Sequence, residues 1–196
     1  MQKTLYIIIV LFFASCLDAN QKSEKEILSK FMDGRKALGL SLTDHFPSEL
    51  RDIKKLSIGF PAGAYGTGMA SMIYAHQVDS SEFSKTYQKL NLNKIRSYQP
   101  TDSLLIIIGD TLDYSKKEDG IPIPNFQSYE GNFGPNSKYL SENNEIYVLE
   151  SKPGKFMEEE YLTSNNNLPA KWKNGFSRGI AINEKQRELV YWTCVW

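Results

Sequence analysis

The chain has 196 residues, 41% of them hydrophobic and 12% aromatic, with 23 Lys+Arg against 23 Asp+Glu and a formal net charge of +0. That length suits one domain with a sizeable core. Balanced charge gives no global field to recruit a polyanion, and the longest basic runs are Lys54-Lys55 and Lys116-Lys117, which argues against a nucleic-acid partner.

Residues 1–16 read MQKTLYIIIVLFFASC: Lys3, an apolar run from Leu5 to Phe13, then the small residues Ala14 and Ser15. This is the layout of a secretory signal. Taken through Leu17 the run has 13 residues, roughly 20 Å of helix at about 1.5 Å per residue. A bilayer core is about 30 Å thick, so the run does not make a stable transmembrane span. Phe13-Ala14-Ser15-Cys16 resembles the lipobox of bacterial lipoproteins, with Phe13 where Leu is commonest. The resemblance implies cleavage between Ser15 and Cys16, thioether lipidation of Cys16 and acylation of the new amino terminus. Several acyl chains, at about 0.8 kcal/mol per buried CH₂, hold a domain far better than one. Three other readings stay open: an ordinary cleaved signal, an uncleaved helix in which Cys16 is one more apolar residue, and a disulfide between Cys16 and Cys194, the only two cysteines. If Cys16 carries lipid, Cys194 in LVYWTCVW reads as a small buried hydrophobe.

Domain boundaries follow: signal peptide 1–15, lipid-anchored polar tether 16–26, and one globular α+β domain over 27–196. By resemblance to Gram-negative sorting rules, Asp directly after the Cys retains a lipoprotein at the inner membrane. Here Leu17 takes that position and Asp18 the next, which implies the outer membrane, facing periplasm or cell surface.

In the domain, Ile27, Phe31, Leu38 and Leu42 recur at helical spacing, and Gly34 and Gly39 predict a helix over about 23–33 with a looser continuation. Pro47 predicts a helical turn through SELRDI. LSIGF and ASMIYAHQV read as strands on either side of a Gly-rich loop. SSEFSKTYQKL reads as a helix capped by Ser80 or Ser81, with Phe83, Tyr87 and Leu90 on one face. SLLIIIGD is the clearest strand, a continuous apolar run expected at the centre of a sheet. GIPIPNFQSYEGNFGPNSKY reads as a long loop, EIYVLES as a strand, and GIAI with LVYWTCVW as a terminal β-hairpin around NEKQRE. The sum is an α+β fold: an antiparallel or mixed sheet of about five or six strands, two or three helices, and the helix between two strands allowing one βαβ-like crossover.

Candidate chemistry is sparse. The stretch from Gly59 to Gly68 lacks the Lys and spacing of a phosphate loop and reads as a turn. No other motif calls for a cofactor. Asp110 and Asp113, after the best strand, with Glu118 and Asp119, are candidate ligands for a divalent cation and the basis of an envelope-hydrolase reading. Set against it are a polar turn with Asp capping and a total of two histidines, His45 and His76. His45 follows Asp44 directly, a poor arrangement for a catalytic base, and no Ser sits in a G-x-S-x-G elbow. Trp172, Phe176 and Arg178, with Tyr129 in a second aromatic loop, form candidate recognition surfaces for a glycan or an envelope protein. The competing reading has Trp172 and Phe176 capping the core. LTDHFP and W-x-N-G-F-S-R-G-I-A-I…VYW are similar to stretches in small bacterial envelope lipoproteins to which no activity is attached. The expectation is a membrane-anchored binding or structural module rather than an enzyme.

Overall fold

A computed structural model describes residues 25–59, 69–109, 112–126, 140, 143–162 and 167–196. Among them are two α-helices and eight strands, so the α+β expectation holds, including the terminal hairpin. Helix α1 covers residues 25–38. Strands β1 (Ile53–Gly59) and β2 (Ala70–Gln77) precede α2 (Ser80–Leu92). Then come β3 (Ser97–Tyr98), β4 (Leu105–Ile108), β5 (Ile121–Pro124), β6 (Asn144–Pro153), β7 (Gly175–Asn183) and β8 (Glu188–Val195).

Six strands form one sheet in the order β1-β2-β8-β7-β6-β3, every pairing antiparallel. Those pairings make β2 and β3 run the same way, so α2 crosses over the intervening strands from one side of the sheet to the other. The crossover has three strands between its ends and finishes at the two-residue β3, not at SLLIIIGD, the next strand expected after the helix. On β8 the side chains alternate: Leu189, Tyr191 and Val195 join a core with Phe31 and Phe83 of the helices. Val190, Trp192 and Cys194 enter a second core with β4 and β5. Both faces of the sheet are covered, and β8 is buried along its whole length.

SLLIIIGD does not sit centrally in the main sheet. Its strand β4 pairs in parallel with β5 as a separate two-stranded layer. The run is apolar because the pair is pressed into the second core, where Ile106 and Ile123 are fully buried. The stretch read as loop supplies β5, IPIP. Ile121 N–H donates to Leu104 and Asn125 N–H to Ile108. The alternate positions, Pro122 and Pro124, fall on the edge away from β4, where a missing N–H costs nothing.

Helix α1 runs past Gly34 because that residue allows a close approach: a Cβ there would lie 2.9 Å from Ile58 Cδ1. It stops at Gly39, whose φ of 93° favours glycine. Residues 47–52 make bends rather than the expected helical turn. Helix α2 is capped one residue earlier than Ser80, by Asp79, whose carboxylate accepts from Ser81 N at 2.7 Å and Glu82 N at 2.9 Å. Among the described residues no helix is long and apolar enough to cross a membrane.

Candidate functional site

The aromatic and acidic candidates separate in space. Trp172 lies in the core with β4 and β5, its indole N–H donating to Gly120 at 3.1 Å while its carbonyl accepts from Trp196 at 2.8 Å. Phe176 is buried on the opposite face, edge-on to Phe156 at 4.6 Å. The two rings therefore fill different cores and share no surface. Cys16, Tyr129 and Asp110 lie outside the described residues. Asp113 takes the turn-capping role: hydrogen bonding from the Ser115 hydroxyl, and from Ser115 N at 2.8 Å, holds its carboxyl below the usual range. Glu118 is exposed. No three His, Cys, Asp or Glu side chains are placed to share a metal among the described residues. Cys194 is a fully buried free thiol, its pKa pushed up by burial.

Arg178 is engaged internally. Its Nε and Nη2 donate to Glu150 Oε2 at 3.0 and 2.9 Å, and Nη1 donates to the Ser41 carbonyl at 2.8 Å and pairs with Asp44. Thr193 Oγ1 donates to the Leu42 carbonyl at 2.7 Å, and His45 Nε2 lies 3.0 Å from the Trp192 carbonyl. The stretches LTDHFP and GFSRGI thus clasp one another, fixing residues 41–46 over β7 and β8. A carbonyl only accepts, so Nε2 carries the imidazole proton. His45 Nδ1 is buried, 4.0 Å from Asp44 Oδ1. Burial lowers the His45 pKa to about 4, with Arg178 acting the same way. Arg178→Met should lower urea stability by about 1.5–3 kcal/mol, the range for hydrogen bonds to charged groups. Arg178→Lys should recover less than half of that, because one ammonium cannot span Asp44, Glu150 and the Ser41 carbonyl. A wild-type urea midpoint in Arg178→Met would remove the clasp's structural role.

The second histidine faces a recess of about 450 Å³ between residues 47–51 and the start of α2. His76 is 2% exposed. β2 alternation puts it on the Tyr74 face, where the two rings stack at 4.8 Å with Tyr191 5.7 Å away. Both ring nitrogens are shielded from solvent, and the Arg51 backbone acts on the ring as a hydrogen-bond partner. Burial lowers the His76 pKa, opposed by the charges of Glu82 and Asp52. Glu49, Arg51, Asp79 and Glu82 line the recess, with Lys85 at its exposed rim. The wall formed by residues 47–51 is clamped by Tyr74, whose hydroxyl donates to the Arg51 carbonyl at 2.9 Å and accepts from Arg51 N at 3.2 Å. Beyond that wall a larger groove of about 1140 Å³ opens between Arg51 and Leu28 of α1.

Sequence reasoning passed over this recess because its parts come from three separated stretches. The available signals were the alternation Met72-Tyr74-His76 and the D-x-x-E pattern of Asp79 and Glu82 at a helix start. Compared with known proteins, the chain matches no family model, no curated protein and no solved structure.

Proposed function

We propose that the chain is a lipid-anchored protein of a Gram-negative envelope, held at the outer membrane through Cys16, whose domain works by binding rather than by turnover. The observation that carries the anchor is Ala14-Ser15-Cys16 at the end of an apolar run too short to span a bilayer. Residues 17–24 separate Cys16 from α1, and a stretch of that length reaches at most about 28 Å. The domain would then stay close to the lipid surface, in reach of a neighbouring envelope protein or glycan. Supporting a binding role is the recess beside α2, walled by the charged side chains Glu49, Arg51, Asp79, Glu82 and Lys85.

Metabolic labelling with an alkynyl palmitate tests the anchor. Wild type should take up label and fractionate with membranes, and Cys16→Ala should lose both properties. Equal labelling of the two would refute the anchor.

A further inference from the structure

Helix α1 carries its side chains in rows spaced three and four residues apart. Phe31, Gly34 and Leu38 face the sheet and are buried. Glu26, Lys30 and Asp33 form a polar row whose charges are met within the helix. Lys30 pairs with Glu26 at 2.9 Å, and the Ser29 hydroxyl donates to Asp33 at 3.3 Å. The third row is Lys25, Leu28, Met32 and Lys36, which turns away from the core. Leu28 and Met32 adjoin one turn apart and are 46% and 47% exposed. Lys25 and Lys36 make no ion pair among the described residues.

Single apolar residues scattered over a surface are ordinary. Here two sit together between cations, in a row that starts at the first residue of α1. Residues 17–24 separate that start from Cys16 and reach at most about 28 Å. Lys25 is therefore held near the lipid, and Lys36 lies about 17 Å further along the helix. Leu28 also lines the groove that Ile53 shares. Within the groove Glu49 is paired with Arg51, while Asp52 opposes an anionic surface, so the row and not the groove makes the contact. Aliphatic groups flanked by lysines suit a phospholipid surface. The apolar side chains enter the acyl boundary, and the ammonium groups reach headgroup phosphates on their long stems.

We propose that the Lys25-Leu28-Met32-Lys36 row docks the domain on the anionic phospholipid surface that holds Cys16, turning α1 toward the membrane. The proposal rests on the lipid-anchor reading and adds a fixed orientation to it.

The test uses the full lipidated chain in vesicles of equal parts phosphatidylethanolamine and phosphatidylglycerol, with a nitroxide on the headgroup of a tracer lipid. A polarity-sensitive fluorophore is attached at Ser29→Cys, beside the row, or at Leu92→Cys for comparison. Leu92 is 82% exposed at the end of α2, which leads to the sheet edge opposite β1 and α1. Cys194 is fully buried, out of the reagent's reach. The Ser29 probe should shift to shorter wavelength and be quenched at least about twofold more strongly than the Leu92 probe. Lys25→Glu with Lys36→Glu, or Leu28→Gln with Met32→Gln, should bring the two probes level. Lys30→Glu, on the polar row, should leave the difference intact. Flotation of each sample reports the anchor separately. Equal quenching at both positions in a chain that floats with the vesicles would overturn the lipid surface as occupant and leave the anchor standing. Quenching unchanged by both double substitutions would overturn the row as the docking surface. A chain that does not float would overturn the anchor and the docking with it.

Discussion

Replacing Gly179 by alanine should cost the domain roughly 3 kcal/mol, at the top of the range for overpacking a well-filled core. Gly179 pairs with Trp192 across β7 and β8 and with Val148 across β6 and β7. A Cβ built there would lie 2.3 Å from Trp192 Cζ2 and 2.3 Å from the Tyr147 carbonyl oxygen. The indole is fully buried, edge-on to Phe126 at 5.3 Å, so it has no open space to swing into. The carbonyl belongs to sheet backbone and moves only if the ladder moves. For a chain of this size, a loss of that order lowers Tm by about 6–12 °C. Gly59→Ala is the matched comparison. Among the described residues its new methyl would meet nothing nearer than Ser71 Oγ at 3.6 Å, and its effect should stay within about 0.5 kcal/mol. Adding Trp192→Phe to Gly179→Ala should recover only part of the loss, because the carbonyl contact remains. A thermal scan placing Gly179→Ala within 2 °C of wild type would mean that β7 and β8 are not packed as described.

The same close packing explains what the residue pattern revealed and what it hid. The β-rich runs GIAI and LVYWTCVW on either side of the polar NEKQRE exposed the hairpin, because a strand–turn–strand pattern is a local property. Strands without regular intervening helices left an antiparallel or a mixed sheet open, and the pairings make the main sheet antiparallel throughout. The place of LLIII could not be read locally. An unbroken apolar run marks burial on both sides, and β4 obtains that in a separate parallel layer as well as it would at a sheet centre. β5 was hidden by Pro122 and Pro124, residues that mark loops unless the chain uses an edge that needs no donor. Trp172 and Phe176 sit four residues apart and read as one patch. The turn into β7 sends them to opposite cores. His76 is the sharpest case. Its neighbours in sequence make it a strand residue, and only the arrival of residues 47–51 and the start of α2 gives it a recess.

Both histidines should make the fold acid-sensitive in a window set by their burial. Each has its folded pKa below the unfolded value of 6.5. As pH falls through 6.5 the unfolded chain therefore takes up protons that the folded chain refuses, and stability drops. The loss begins near pH 6.5 and for His45 is complete only near its folded pKa of about 4, a difference worth roughly 3 kcal/mol. Arg178 strengthens the effect, while hydrogen bonding to the Trp192 and Gly179 backbone and the charge of Asp44 oppose it. His76 acts in the same direction, moderated by Glu82, Asp52 and Glu188. Asp79 and Glu150 have lowered folded pKa values, so they also lose stabilisation in acid. Their contribution starts only below about pH 4.5, where an unfolded carboxylate begins to bind protons. Urea midpoints measured from pH 7.5 to 4.5 separate the two groups. Wild type should weaken steadily from pH 6.5 downward. His45→Gln should flatten most of that slope, since the amide N–H of Gln can still donate to the Trp192 carbonyl without taking up a proton. Adding His76→Phe should flatten the remainder. A wild-type midpoint constant between pH 7 and 5 would show that His45 and His76 protonate in place, and would remove burial as the cause of their depressed pKa values.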